Sequence, residues 1–147
     1  SSPVRAGSCH SLTGAAMLTI TLPWPSADLS PNGGVKKRAL FAATKAARNY
    51  AWTMTKQLMP RFGIAYRSWT GTVEVQYTFH AMQSRGRDDD NFIRRMKPAR
   101  DGIALALGVD DKTFRLQPVI WGDKRNGTVE VTLVPAEVAI ELRGEIS

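Results

Sequence analysis

The run Arg87-Asp88-Asp89-Asp90-Asn91 and, about twenty residues later, the pair Asp110-Asp111 cluster acids in a chain that is otherwise strongly basic. Hard divalent cations such as Mg2+ take one or two carboxylates together with waters and substrate phosphates, so a phosphate-handling metal site keeps a few acids inside a positive surface. If the backbone at 88–90 is extended, Asp88 and Asp90 project to one face while Asp89 points away. The competing reading is a solvated loop whose Asp90 or Asn91 caps a following helix, and those five residues alone leave the two readings even. The flanks favour the metal. Between residues 84 and 101, Arg85, Arg87, Arg94, Arg95, Lys97 and Arg100 surround four acids, which a purely solvating loop does not need.

The whole chain has 20 Lys and Arg against 13 Asp and Glu, a net charge of +7, which directs it toward polyanionic partners. Residues 29–73 contain no acid and carry Lys36, Lys37, Arg38, Lys45, Arg48, Lys56, Arg61 and Arg67. Of these, Lys36, Lys37, Arg38 and Lys45 are candidate DNA contacts, as are Arg85, Arg87, Arg94 and Arg95 beside the acids. The single cysteine, Cys9, cannot form an internal disulfide, and with His10 alone it lacks the ligands of a zinc site. With no apolar run long enough to span a bilayer and no secretory leader, the chain reads as soluble, cytoplasmic and DNA-associated, with no membrane partner.

Positioning these residues requires a scaffold, and 147 residues suit one domain. Residues 1–16 lack periodicity and read as a flexible or cloning-derived arm, with Met17 as the expected natural start and 17–147 as the domain. From Met17, Leu18, Ile20 and Leu22 alternate with threonines as a half-buried strand that ends at Pro23-Trp24-Pro25. Apolar residues at helical spacing, among them Leu40, Ala43, Ala47, Tyr50, Ala51, Met54 and Leu58, predict a long basic helix over 35–58, with Tyr50 and Trp52 expected in the core rather than stacked on bases. Val73, Val75, Tyr77, Phe79 and Ala81 predict the clearest strand, which delivers the acids from its end. A helix from about 91 to 107 follows, with Phe92, Ile93, Met96, Ile103, Leu105 and Leu107 as its apolar face and Gly108 as its stop. Pro98 either kinks it near Lys97 or opens a fresh helix. Strands over 114–121 and 128–134, joined through a hairpin signal at Asn126-Gly127, complete the pattern, and 137–143 adds a short strand. The fold class is α+β: a mixed sheet with two main helices packed on it.

In order and spacing, Leu22-Pro23-Trp24-Pro25, His80, Arg87-Asp88-x-Asp90-Asn91, Lys97 and Asp110-Asp111 together resemble the RusA-type Holliday junction resolvases, over residues 17 to about 134. The resemblance implies a homodimeric endodeoxyribonuclease that uses Mg2+, with Mn2+ as the alternative ion, to cut four-way DNA junctions by paired symmetric incisions. It places the catalytic acids and metal ligands on Asp88, Asp90 and Asp111. The essential lysine falls on Lys97 when counted back from Asp101, or on Arg94 when counted forward from Asn91. Lys97 is preferred, because an arginine is always protonated and cannot exchange a proton. Where the family carries bulky aromatics before its last acid pair, this chain has Leu107-Gly108-Val109.

A continuous helix over 92–107 spans about 24 Å and would carry Asp111 away from Asp90. Either the chain doubles back at Pro98 or a partner subunit supplies Asp111, so the site is expected close to a dimer interface. Two further readings stay open. In one, Asp110-Asp111-Lys112 is the acid-x-Lys element of a restriction-endonuclease-like enzyme. In the other, the chain is a non-enzymatic DNA-binding or phage regulatory protein that uses its basic helix.

Overall fold

The computed structural model describes residues 17–29, 36–82 and 89–136. The N-terminal arm, Asp88, Arg85, Arg87 and the expected strand at 137–143 lie outside the described residues. Strand β1 (Leu18–Pro23) buries Leu18, Ile20 and Leu22, as its alternation predicts. After a 3-10 turn at Ala27–Leu29 comes the long helix α1 (Lys37–Leu58), then strand β2 (Val73–His80). Two helices follow, α2 (Asp89–Arg95) and α3 (Lys97–Leu107), then β3 (Phe114–Leu116), β4 (Ile120–Trp121) and β5 (Thr128–Pro135). Among the described residues the architecture is α+β, with a mixed sheet and three α-helices. No helix among the described residues is long and apolar enough to cross a membrane.

Of the two alternatives at Pro98, the fresh helix is the one that forms, with Pro98 in the first turn of α3. Proline donates no amide hydrogen and its ring crowds the carbonyl four residues earlier, so the turn tightens instead: the Met96 amide is shared between the carbonyls of Phe92 and Ile93. Of the expected apolar face, Leu105 points outward and is exposed. Helix α1 also departs from expectation. Its only buried residues are Ala51 and Thr55, and both Tyr50 and Trp52, expected in the core, are exposed. It meets α3 at Gly102, where an added Cβ would stand 2.2 Å from the Arg48 carbonyl oxygen. Only glycine permits that approach.

Strand β2 is the centre of the sheet. It pairs antiparallel with β5, which pairs antiparallel with β1, and on its other side it runs parallel to β3 and β4. The expected strand over 114–121 is therefore two short ones, interrupted at Pro118, whose carbonyl accepts from the Gln76 side-chain amide. The hairpin expected at Asn126-Gly127 does not form, because β4 and β5 lie on opposite sides of β2. The 122–127 loop passes over the end of β2 instead, with the Gly122 amide on the Phe79 carbonyl and the Gly127 amide on the His80 carbonyl, both at 2.8 Å. Asn126 turns the chain locally: its side-chain oxygen accepts from the Thr128 amide and hydroxyl.

Candidate active site

Two acid clusters sit on different elements. Asp89 and Asp90 occupy the first turn of α2, where carboxylates complement the helix dipole. The backbone there is helical, so the extended geometry expected to align Asp88 with Asp90 does not hold at Asp90, and neither Asp90 nor Asn91 is the helix cap. Asp89 accepts a hydrogen bond from the Trp121 indole at 2.8 Å. Trp121 belongs to an aromatic group with Phe79, Phe92 and Trp24 whose ring centroids lie 5.2 to 6.5 Å apart. Pro23-Trp24-Pro25 thus ends β1 and also wedges an indole between β2 and α2, so that the start of α2 is fixed against the sheet.

The second cluster forms where the chain reverses at Gly108. This residue adopts φ +78°, and its amide and that of Val109 return to the carbonyls of Leu105 and Ala104 in a Schellman closure. The chain then runs back along α3 to a 3-10 turn at Asp111–Thr113. Asp110 caps that turn, accepting from the Lys112 amide at 2.9 Å. Asp111 faces Lys97, whose ammonium lies 3.5 Å from Asp111 Oδ2 and 3.3 Å from Asp101 Oδ1. Lys97, Asp101, Asp110 and Asp111 line an open cleft of about 370 Å³.

The reversal at Gly108 brings Asp111 beside Lys97 within a single chain. Lys97, preferred over Arg94 because it can exchange a proton, is the cation that meets Asp111. Asp101 was used in the sequence only as a counting mark, yet it is part of the cleft. Its spacing of four residues from Lys97 on one helix was the available signal. Desolvation pushes the Asp111 carboxyl up, but hydrogen bonds with Asp110 and Asp101 and the charge of Lys97 outweigh it and hold the group below its ordinary value.

Next to Asp101 on α3, Arg100 reaches the hydroxyl of buried Tyr77 at 3.4 Å. Burial raises the Tyr77 pKa, and Arg100 opposes the rise.

Among the described residues, no group of three or more His, Cys, Asp or Glu side chains is arranged to hold a metal ion. Asp90 does not line the Asp111 cleft and stands on the preceding helix, seven positions before Lys97. A larger cavity, about 490 Å³, lies between α1 and the Pro23-Trp24-Pro25 segment, walled by alanines, Leu22, Met96 and Trp24, and contains none of the clustered acids.

No protein-family model matches the chain. An uncharacterized protein of Xylella fastidiosa (strain Temecula1) is 41% identical over 120 residues, which cover 80% of this chain and 76% of that protein. The chain belongs to that protein's family.

In this family member the candidate DNA contacts divide. Lys36, Lys37, Arg38 and Lys45 are exposed on α1 or at its start, and Arg94 is exposed on α2. Arg95 is not available to DNA. It is buried, donates to the carbonyls of Pro25 at 2.7 Å and Ser26 at 3.2 Å, and stacks 4.8 Å from Phe92. Burial lowers its pKa. Its role is to tie α2 to the segment after β1. His80 is also structural: buried at the end of β2, it pairs through Nε2 with Glu130, while Nδ1 accepts from the Lys124 amide. The His80 hydrogen bond, aided by Lys124, holds Glu130 below its ordinary pKa.

Proposed function

We propose that the chain is a Mg2+-dependent, structure-selective endodeoxyribonuclease of the RusA type, acting as a homodimer on four-way DNA junctions. The observation that carries this reading is the open cleft in which Lys97 lies between Asp111 and Asp101, with Asp110 in its wall, in a strongly basic chain. A solvated acidic turn would not need a lysine held between two carboxylates.

The donor set suits a hard cation, because it offers carboxylate oxygens and no thiolate or imidazole. Asp111 would hold the ion from the cleft; the resemblance adds Asp88 and Asp90 as ligands, and Asp90 stands outside the cleft. A bound Mg2+ supplies an activated water and charge stabilisation for the leaving oxygen in phosphodiester hydrolysis. Lys97 then neutralises charge on the scissile phosphate from its position beside Asp111, and Asp101 orients the lysine from one helical turn away. Asp111, kept ionised by its neighbours, is available as an oxygen ligand across the neutral pH range. The exposed cations of α1 and Arg94 carry non-specific phosphate contacts.

The decisive experiment incubates the protein with a mobile four-way junction and with a linear duplex of matched sequence, each with and without Mg2+. The proposal expects Mg2+-dependent cutting of the junction in preference to the duplex, and a dimer by light scattering. Equal cutting of both DNAs ends the junction selectivity. Binding to both without cutting replaces the nuclease with a non-enzymatic DNA-binding protein.

A further inference from the structure

One face of α1 alternates aromatic and cationic side chains. Phe41, Lys45, Arg48, Trp52 and Lys56 recur at intervals of three or four residues, so they form a single stripe about 22 Å long. At its end the Lys56 ammonium lies 5.8 Å from the Trp52 ring centroid and 4.6 Å from that of Tyr66, and the Arg67 guanidinium lies 5.2 Å from Tyr66. The aromatics are open to solvent: Phe41 is 71% exposed, Tyr66 51% and Trp52 40%. Single exposed apolar residues are ordinary, but three aromatics in one line with four cations make a patterned surface. The segment that carries it supplies no acid, because residues 29–73 contain no Asp or Glu.

The far end of the stripe is built deliberately. Arg67 has φ +62°, a left-handed conformation unusual for a residue with a side chain, and its amide is anchored to the Leu107 carbonyl at 2.8 Å. That places Arg67 and Tyr66 against Gly108, where a Cβ would stand 2.6 Å from Arg67 Cγ and 2.7 Å from Tyr66 Cε1. The next residue, Val109, lines the acid cleft. The stripe therefore ends at the edge of the candidate site.

We infer that this face binds an unpaired nucleic-acid strand and leads it to the cleft, with bases stacking on Phe41, Trp52 and Tyr66 while Lys45, Arg48, Lys56 and Arg67 follow the phosphates. Every base has a π face and every nucleotide a negative charge, so alternating rings and cations read single strands without regard to sequence. A duplex hides its base faces and could use only the cations. The inference rests on the reading of DNA as substrate and adds to it the unpaired segment at a branch point as the recognised element.

The test measures fluorescence anisotropy of a labelled oligothymidylate and of a blunt duplex of equal length, without Mg2+. Trp52→Ala and Tyr66→Ala are each expected to weaken single-strand binding about tenfold and to change duplex binding far less. Trp52→Phe should retain most of the affinity, and intrinsic fluorescence should be quenched by oligothymidylate in the parent and much less in Trp52→Phe. Phe41→Ala, at a site too exposed to threaten folding, should also weaken single-strand binding selectively. Lys45→Gln should reduce the salt slope on both DNAs by about one.

Equal losses on both DNAs, or no loss in Phe41→Ala and Trp52→Ala, overturn the inference. So does Trp52-dependent binding to phosphatidylserine vesicles without oligothymidylate binding. Selective single-strand binding in a chain that cuts no junction keeps this inference and removes the nuclease. Junction cutting with no aromatic dependence of binding does the reverse.

Discussion

The two acid pairs, Asp89-Asp90 and Asp110-Asp111, are built alike although they stand on unrelated elements. In each, the first acid is engaged by a neutral donor: Asp89 by the Trp121 indole and Asp110 by the Lys112 amide. The second acid of each pair is left for a different task. Asp90 is exposed on the first turn of α2, and Asp111 faces a cation. The pairs differ in what surrounds them, since Asp89 is anchored to an aromatic cluster and Asp111 borders an open, charged cleft. Adjacent identical residues can therefore divide into one that is engaged by a neutral donor of the fold and one left to solvent or to a cation, and the distinguishing mark is the partner rather than the residue type.

The strongest way to break this comparison is to exchange each acid for its amide. Asp111→Asn and Asp90→Asn are expected to lower Mg2+-dependent junction cutting by about 100-fold, in line with the loss of a metal-site group, whereas Asp89→Asn and Asp110→Asn should remain close to the parent. Loss of cutting in all four, or in none, ends the division of roles. A smaller effect is expected on stability: Asp110→Ala removes the cap of the turn before β3 and should cost about 1 kcal/mol by denaturant unfolding. Trp121→Phe, which keeps a ring in the cluster but removes the donor to Asp89, should cost about 1 kcal/mol and lower Tm by a few degrees.

The smallest effect concerns pH. Asp111 has a lowered pKa in the folded chain, so its contribution to stability is present above the unfolded carboxylate value and is lost as pH falls through the folded one. Lys97→Met removes one cause of the lowering. The variant should be less stable than the parent at neutral pH, with the gap closing as the medium is acidified through the Asp111 titration. A gap that stays constant with pH would show that Lys97 does not act on Asp111.

Much of the scaffold could be read from alternation, because strands β1 and β5 bury one residue in two, and β2 buries every apolar residue of its alternating set together with Glu74 and His80. The long basic helix was also legible in extent, but not which of its residues are covered. Tyr50 and Trp52 fit a helical apolar pattern equally well exposed or buried, and only the position of α3, set by the close approach at Gly102, decides between them. Arg94 and Arg95 show the same limit. One is solvated and the other is spent on the carbonyls of Pro25 and Ser26, partners about seventy residues away in sequence. Of the site, Lys97 and Asp111 were each singled out by family resemblance, whereas their meeting, through the return of the chain at Gly108, needed the structure. Asp101 was within reach of simple helical spacing.

Because β2 lies between β4 and β5, two strands that are neighbours in sequence cannot zip together on their own. The segment 120–135 finds its hydrogen-bonding partners only after a strand from about fifty residues earlier has arrived, and β5 in turn must be in place before β1 has an edge to join. Sheet assembly is consequently dominated by distant encounters, which places folding among the slower, more topologically complex single domains. It also makes β2 a keystone in time as well as in space: a truncation or ribosomal pause that withholds β5 leaves one side of β2 and all of β1 without partners, exposing strand edges that can capture other chains.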